Sequence, residues 1–162
     1  MDIKSIKMEE ADLNQAVGHA ISQWSKLEFI LANLFSEAIG LDLKLSVKLL
    51  SLSRNFDFLI RATDVAVKNK SGINIKEWDN LRKYIKDLSE KRNLLSHTSV
   101  IVQGSEDSTA RRFIPKVGPK IKDMLLGEME SESLSKDDII NFTNSINDAL
   151  ERTKILLKSL RS

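Results

Sequence analysis

A short run near the middle of the chain, Arg92 to His97, carries the residue types that acid–base chemistry on a phosphate group needs. His97 is one of only two histidines in the protein. Histidine titrates at about pH 6.5, so it can accept or donate a proton at neutral pH. Arginine can hold a phosphate through a planar two-point contact. Asn93 and His97 are spaced i and i+4, so on a helix the amide could orient the imidazole or a substrate.

The combination of Arg92, Asn93 and His97 suits RNA better than DNA. RNA supplies its own nucleophile, because its 2′-OH can attack the neighbouring phosphate once it is deprotonated. A histidine acting as general base or acid, with an arginine on the developing phosphorane charge, would serve that reaction. The chain has no cysteine and no obvious His/carboxylate cluster, which argues against a zinc site. We therefore expect chemistry that uses no metal and no cofactor.

Two charged residues interrupt apolar stripes that should be buried. Glu28 lies one turn after Trp24 and one turn before Leu31 on the first predicted helix. Arg92 continues the stripe of the third predicted helix, which is formed by Trp78, Leu81, Ile85 and Leu88. Burying either charge alone is costly, so we predict that Glu28 and Arg92 contact each other across a helix interface. Alternatively, the core ends at this level and both side chains extend to solvent.

Helical periodicity dominates the rest of the sequence. The pattern predicts a first helix from about Glu9 to Ile39, ended by Gly40. It predicts a second helix from Asp42 to about Asn69 and a third from about Asn74 to the Arg92–His97 run. The second helix is apolar on several sides and should be central, with candidate core residues Leu45, Leu49, Leu52, Phe56, Leu59 and Ile60.

Residues 98–134 break this pattern. Thr98 to Val102 and Arg112 to Val117 read as two strands, and Ile121 to Met129 as a short helical piece. The last helix should begin at Ser135, with Asp138 completing a capping box. One side of this helix carries Ile139, Phe142, Ile146, Leu150, Thr153 and Leu157. Together these elements predict a single all-α domain over 1–162. It would be an antiparallel four-helix bundle with a short hairpin or irregular insertion before the last helix.

Composition excludes several classes of protein. A chain of 162 residues with 41% hydrophobic and 30% charged residues can bury a sizeable core. The net charge of +2 is too small to indicate nucleic-acid binding by itself. The charged N-terminal residues lack the apolar stretch of a signal peptide, and no run is long enough for a membrane span. We expect a cytoplasmic protein without a membrane partner.

Two further charge patterns have a functional and a structural interpretation. On the second predicted helix, Arg54, Asp57, Arg61 and Asp64 have the spacing of ordinary helix salt bridges, which we favour, although Arg54 could contact an RNA phosphate. In the 98–134 insertion a basic cluster could grip RNA. More often such a cluster is only solvated surface. The cluster comprises Arg111, Arg112, Lys116, Lys120 and Lys122.

The run from Arg92 to His97 resembles the signature of the HEPN domains, which is an arginine, a polar residue and, a few positions on, a histidine. Its place at the end of the third predicted helix is similar to the family's arrangement. The first helix with Trp24 and Glu28, the long second region and the capped final helix resemble a stand-alone bacterial HEPN protein. The resemblance covers most of the chain except 98–134.

This resemblance implies an activity and a mode of assembly. HEPN proteins are commonly metal-independent endoribonucleases of toxin–antitoxin, defence or RNA-processing systems. They typically form homodimers in which two motifs face each other in one composite cleft. Arg92 and His97 would then be catalytic, Asn93 would support them, and an antitoxin or nucleotidyltransferase-like protein would be a partner. Glu28 is added from the stripe argument as a supporting residue. The alternative is a non-catalytic HEPN-like module that binds RNA or another protein.

Overall fold

The computed structural model describes residues 3–53, 55–96, 99–104, 113–118 and 134–161. These residues form five helices and one two-stranded sheet. The elements in chain order are α1 (Ile3–Ile39), α2 (Leu43–Leu50), α3 (Phe56–Lys68), α4 (Ile75–Ser96), β1 (Ser99–Gly104), β2 (Phe113–Gly118) and α5 (Lys136–Arg161). The fold of the described chain is therefore predominantly helical, as the sequence pattern predicts.

The apolar stripe predicted for the first helix is confirmed. Along α1, apolar side chains spaced three and four residues apart face the interior. The helix begins earlier than predicted, at Ile3, and ends at Ile39 as predicted. Gly40 follows with φ of 70°, a left-handed conformation that glycine adopts without strain. The buried residues of the stripe are Leu13, Ala20, Trp24, Leu27, Leu31, Leu34 and Ala38.

The prediction of one long second helix is wrong, because the helix is interrupted between α2 and α3. Ser51 closes α2, and its hydroxyl donates to the carbonyl of Lys48 at 2.8 Å. Asn55 caps α3, and its side chain accepts from the backbone N–H of Asp57 at 2.9 Å. Serine and asparagine side chains compete with the helix for backbone groups in this way. The side-chain hydrogen bonds of Ser51 and Asn55 therefore outweigh the apolar periodicity.

The break also changes which leucines are buried. Ser46 and Leu50 form the inner face of α2, since both are buried and spaced i and i+4. The predicted core residues Leu45, Leu49 and Leu52 are instead 46%, 40% and 84% exposed. A helix of eight residues presents only one face to the interior, so the other apolar side chains of α2 stay at the surface. Of the remaining predicted core residues, Ile60 is buried, whereas Phe56 and Leu59 are half-buried.

The third and last predicted helices, α4 and α5, carry their apolar stripes where the sequence places them. On α4 the stripe consists of Trp78, Leu81, Ile85, Leu88 and Leu95, all of which are buried. On α5 the stripe includes Ile139, Phe142, Ile146, Leu150, Thr153 and Leu157, again all buried. Both helices therefore place their predicted apolar faces inside.

A capping box starts α5. The hydroxyl of Ser135 accepts from the backbone N–H of Asp138 at 3.2 Å, and the backbone N–H of Ser135 donates to the Asp138 carboxylate at 2.8 Å. Each side chain thus satisfies a backbone donor that the first helical turn leaves without a partner. This confirms the start predicted for the last helix.

Substituting Ser135→Ala should lower the free energy of unfolding by about 1 kcal/mol, because it removes an N-cap acceptor. The midpoint of thermal unfolding should fall by about 2–4 °C for each kcal/mol in a chain of this size. Ser22→Ala is the matched control, since Ser22 is exposed within α1 and alanine favours a helix interior. Equal midpoints for the two variants in thermal circular dichroism would contradict a stabilising cap.

The two strands pair antiparallel, with Ser99 opposite Gly118 and Gly104 opposite Phe113. They are displaced by one or two residues from the predicted Thr98–Val102 and Arg112–Val117. Pro115 stands opposite Val102 in the register. Among the described residues each strand has a neighbouring strand on one side alone, and an edge strand tolerates a proline. The short helix predicted at Ile121 to Met129 lies outside the described residues.

Contacts divide the chain into two compact units. One comprises Met1–Ser22 and Glu90–Asn144, and the other comprises Gln23–Ser89 and Ser145–Ser162. Their dividing lines fall inside α1, α4 and α5 rather than in loops. Boundaries between domains normally lie in exposed linkers, unlike these dividing lines. The single domain over 1–162 stays a prediction. None of the described helices has both the length and the hydropathy needed to cross a membrane.

Candidate functional site

Arg92 lies one turn before the end of α4, between the buried stripe residues Leu88 and Leu95. Its side chain is half-buried. Nε is buried and donates no hydrogen bond to any described acceptor. Nη1 donates to the Oδ1 atom of Asn93 at 3.3 Å. A buried guanidinium N–H without an acceptor is costly in a folded protein. An oxyanion that binds there would supply the missing acceptor.

Asn93 is exposed and lies beside Arg92 on the last turn of α4. The hydroxyl of Ser96 donates to the carbonyl of Arg92 at 2.9 Å and so provides a partner for one of the last carbonyls of the helix. The structure thus brings Arg92 and Asn93 together at the end of a helix. His97 is the next residue after α4 and lies outside the described residues, so its place beside them stays a prediction.

Glu28 is half-buried on α1, as expected for a charge within an apolar stripe. Its Oε1 atom accepts a hydrogen bond of 2.9 Å from the indole N–H of Trp24, one turn earlier. Glu28 belongs to the unit that includes Gln23–Ser89, whereas Arg92 belongs to the other unit. The predicted contact between Glu28 and Arg92 therefore stays a prediction.

A groove opens beside Glu28. Its volume is about 320 Å³, which lies in the range of small-molecule sites. Its walls come from α1, α2, α3 and the break between α2 and α3. Among the lining residues that the structure describes, Glu28 is the only ionisable one, and the others are Phe29, Ala32, Val47, Leu50, Ser51, Ser53, Asn55, Phe56 and Leu59. The groove is thus an apolar trough with a single carboxylate.

Asp64 on α3 is the centre of an ion-pair network. Its Oδ1 atom accepts from the indole N–H of Trp78 at 2.8 Å, and it lies 3.1 Å from Lys68 Nζ and 3.3 Å from Arg82 Nε. Asp79 lies 3.1 Å from the same Lys68 ammonium. This network ties α3 to α4 through a buried tryptophan.

The pKa values follow from these contacts. Burial of the Asp64 carboxylate opposes its ionisation, but hydrogen bonds from Trp78 and Lys68 and the charges of Arg82 and Lys68 outweigh that effect. The pKa of Asp64 is therefore lowered from its ordinary value. Hydrogen bonds to Asp64 and Asp79 raise the pKa of Lys68. Both groups are accounted for by stabilising α3 against α4, which is a structural role.

Of the charge ladder that includes Arg54, the structure describes the part that lies on α3. In the ladder on α3, Asp57 and Arg61 form the expected ion pair at 2.7 Å. Asp64 pairs instead with residues further along the chain. Arg54, Arg111 and Arg112 lie outside the described residues, so their contacts with RNA stay predictions.

His19 is exposed on α1. It lines a cavity of about 220 Å³ together with Asp12, Gln15, Ala16 and Lys136. Lys136 Nζ and the Asp12 carboxylate form an ion pair of 3.0 Å at the same place. Within the described residues no three His, Cys, Asp or Glu side chains are grouped closely enough to hold a metal ion.

Comparisons with protein-family models, with curated proteins and with solved structures find no match to this chain. The resemblance to HEPN domains therefore depends on the Arg92–His97 run and on the order of the helices. It stays a hypothesis about this chain.

The groove beside Glu28 is the feature that the sequence pattern does not predict. Its walls exist because α2 and α3 are separate helices, whereas the periodicity favours one continuous helix. Two features of the sequence are consistent with the groove. The first is the i and i+4 spacing of Trp24 and Glu28, which permits their hydrogen bond. The second is the group of polar residues Ser51, Ser53 and Asn55, which favours an interruption of the helix between α2 and α3.

Proposed function

We propose that this protein is a metal-independent endoribonuclease with Arg92, Asn93 and His97 in its active site. The observation that supports this best is the state of Arg92 at the end of α4. Its guanidinium is half-buried, its Nε has no acceptor among the described residues, and Asn93 holds its Nη1. A phosphate oxygen would supply the missing acceptor. His97 directly follows this helix end in the sequence.

In the proposed reaction His97 accepts the proton of the substrate 2′-OH, and the 2′-oxygen attacks the adjacent phosphorus. Arg92 stabilises the charge that develops on the non-bridging oxygens, and Asn93 orients the histidine or the substrate. The bond from phosphorus to the 5′-oxygen breaks, and that oxygen takes a proton from a general acid. The products are a 2′,3′-cyclic phosphate and a 5′-hydroxyl end.

One copy of the motif contains one histidine, whereas this reaction uses a base and an acid. A homodimer with two motifs facing each other supplies both, and we include this shared cleft in the proposal. The finer fold, an antiparallel HEPN-like four-helix bundle, belongs to the same proposal. So does a cellular role as a toxin or defence factor, controlled by an antitoxin or nucleotidyltransferase-like partner.

The deciding experiment uses the purified protein, EDTA and a matched pair of oligonucleotides. One is an RNA with a cleavable linkage, and the other has the same sequence with 2′-deoxyribose at that linkage. We expect cleavage of the RNA in EDTA, a cyclic phosphate on the new 3′ end, and an intact deoxy-substituted control, because the control lacks the nucleophile.

Cleavage of the deoxy-substituted oligonucleotide would contradict attack by the 2′-OH. Binding without cleavage across a panel of structured RNAs would favour a non-catalytic RNA-binding module. A sizing column adds a test of the shared cleft, because a species that elutes at the monomer mass of 18.3 kDa would contradict it.

A further inference from the structure

The groove beside Glu28 has the composition of a ligand site. Most of its lining residues are apolar, including Phe29, which is 56% exposed, and Val47, which is 40% exposed. The free energy falls when a ligand removes exposed aromatic and aliphatic side chains around a concave surface from water. Apart from Glu28 on α1, the polar lining residues Ser51, Ser53 and Asn55 lie at the break between α2 and α3.

Glu28 gives this trough a specific chemistry. Its Oε1 atom is held by the Trp24 indole at 2.9 Å, which fixes the direction of the carboxylate. None of the ion pairs formed among the described residues of its own compact unit involves Glu28, so the carboxylate has no cationic partner within that described part. A carboxylate oriented by one hydrogen bond and bordered by apolar walls complements a cation that carries an apolar body.

Trp24 connects the Glu28 carboxylate to an aromatic lining residue of the groove. Trp24 is buried, and its ring lies 4.8 Å from the ring of the lining residue Phe56. That tilted contact fixes the aromatic wall next to the carboxylate. The apolar wall and the carboxylate are therefore linked through a single side chain, Trp24.

We propose that this groove binds a small organic ammonium compound, with the ammonium group on Glu28 and the apolar body against Phe29, Val47 and Phe56. The ammonium would donate to the carboxylate, and the body would cover the exposed apolar side chains. This inference does not depend on the proposed ribonuclease activity, because it uses only residues of the groove and Trp24.

Phenethylamine is a suitable probe, with 2-phenylethanol as a neutral analogue of nearly the same shape and phenylacetate as an anionic one. Isothermal titration of the wild-type protein should detect the amine. The alcohol should bind about tenfold more weakly, since a charge-assisted hydrogen bond is replaced by a neutral one. Phenylacetate should bind more weakly still, because its charge repels Glu28.

Two variants locate the site. Glu28→Gln should weaken phenethylamine binding about tenfold and should reduce the preference over the alcohol. Glu90→Gln removes the same charge at an exposed position outside the groove and should leave binding unchanged. Because the protein has 2 tryptophans, Trp78→Phe leaves Trp24 as the only indole, and its emission should change on titration with the amine.

The proposal is overturned if the amine does not bind at millimolar concentration, or if it binds no better than the alcohol. Equal affinities of wild type and Glu28→Gln would also overturn it. Far-ultraviolet circular dichroism of each variant checks that the fold is kept. Failure of this experiment leaves the ribonuclease assay unaffected, since that assay depends on Arg92 and His97.

Discussion

Replacing His97 with alanine is expected to lower the rate of RNA cleavage by about 100- to 10,000-fold, because a positioned general acid or base contributes an effect of that size. The rate is measured under single-turnover conditions with EDTA, so that chemistry rather than product release is followed. The wild-type rate should depend on pH as a bell-shaped curve if one histidine acts as base and its counterpart in the dimer as acid. The variant should lose that profile.

The chain offers a matched control in His19, its other histidine, which is exposed on α1. His19→Ala removes the same side chain and should keep the wild-type rate and pH profile. A His97→Ala protein that is folded and dimeric yet cleaves RNA at the wild-type rate would remove His97 from the active site. Equal losses in both variants would indicate an effect on folding rather than on chemistry.

The largest effect on stability is expected at Asp64. Asp64→Ala leaves the buried indole N–H of Trp78 without its acceptor and removes the ion pairs to Lys68 and Arg82. Leaving a buried donor unsatisfied costs about 1–3 kcal/mol, so we expect a loss of about 2–3 kcal/mol in the free energy of unfolding. Urea unfolding followed by circular dichroism measures it, and tryptophan emission should report the change around Trp78.

Asp57→Ala is the control on the same helix. Asp57 pairs with Arg61 at the surface, where the two side chains are 41% and 76% exposed, so the loss should stay below about 1 kcal/mol. Asp64→Asn separates the two contributions at Asp64, because the amide oxygen can still accept from Trp78. A loss at Asp64 no larger than that at Asp57 would contradict the network.

The contribution of Asp64 should also depend on pH in one direction. Its pKa is lowered in the folded protein, so its charge stabilises the fold fully above the unfolded-state pKa of about 3.9. That stabilisation disappears as the pH falls through the lower, folded-state pKa. The difference between wild type and Asp64→Asn should therefore be constant above about pH 5 and shrink in more acidic solution.

The sequence predicts the helices that depend on simple periodicity. The stripes of α1, α4 and α5 lie inside as expected, because one apolar face per helix must be removed from water. The half-buried state of Arg92 follows from the same reasoning, since it occupies a stripe position of α4. The cap at Ser135 was predictable from two residues, because its geometry is local.

The features that the apolar pattern does not predict have two causes. Side-chain hydrogen bonds compete with helix continuation, and some contacts join residues that are far apart in the sequence. Apolar spacing alone predicts that α2 and α3 are one helix. Ser51 and Asn55 instead form hydrogen bonds with nearby backbone groups, so that α2 ends and α3 begins there. The acceptor of the Trp78 indole, Asp64, is on another helix, and no spacing rule connects them. The groove combines both kinds of information, which is why it emerges only from the three-dimensional arrangement.

The dividing lines between the two compact units pass through helices, after Ser22 in α1, Ser89 in α4 and Asn144 in α5. A chain cut at any of these points would leave up to about four N–H and four C=O groups on the new ends without helical partners. Neither unit is therefore a sensible truncation product. An insertion should instead be tolerated at the turn between α3 and α4, where Gly72 is exposed and has a φ of 90°.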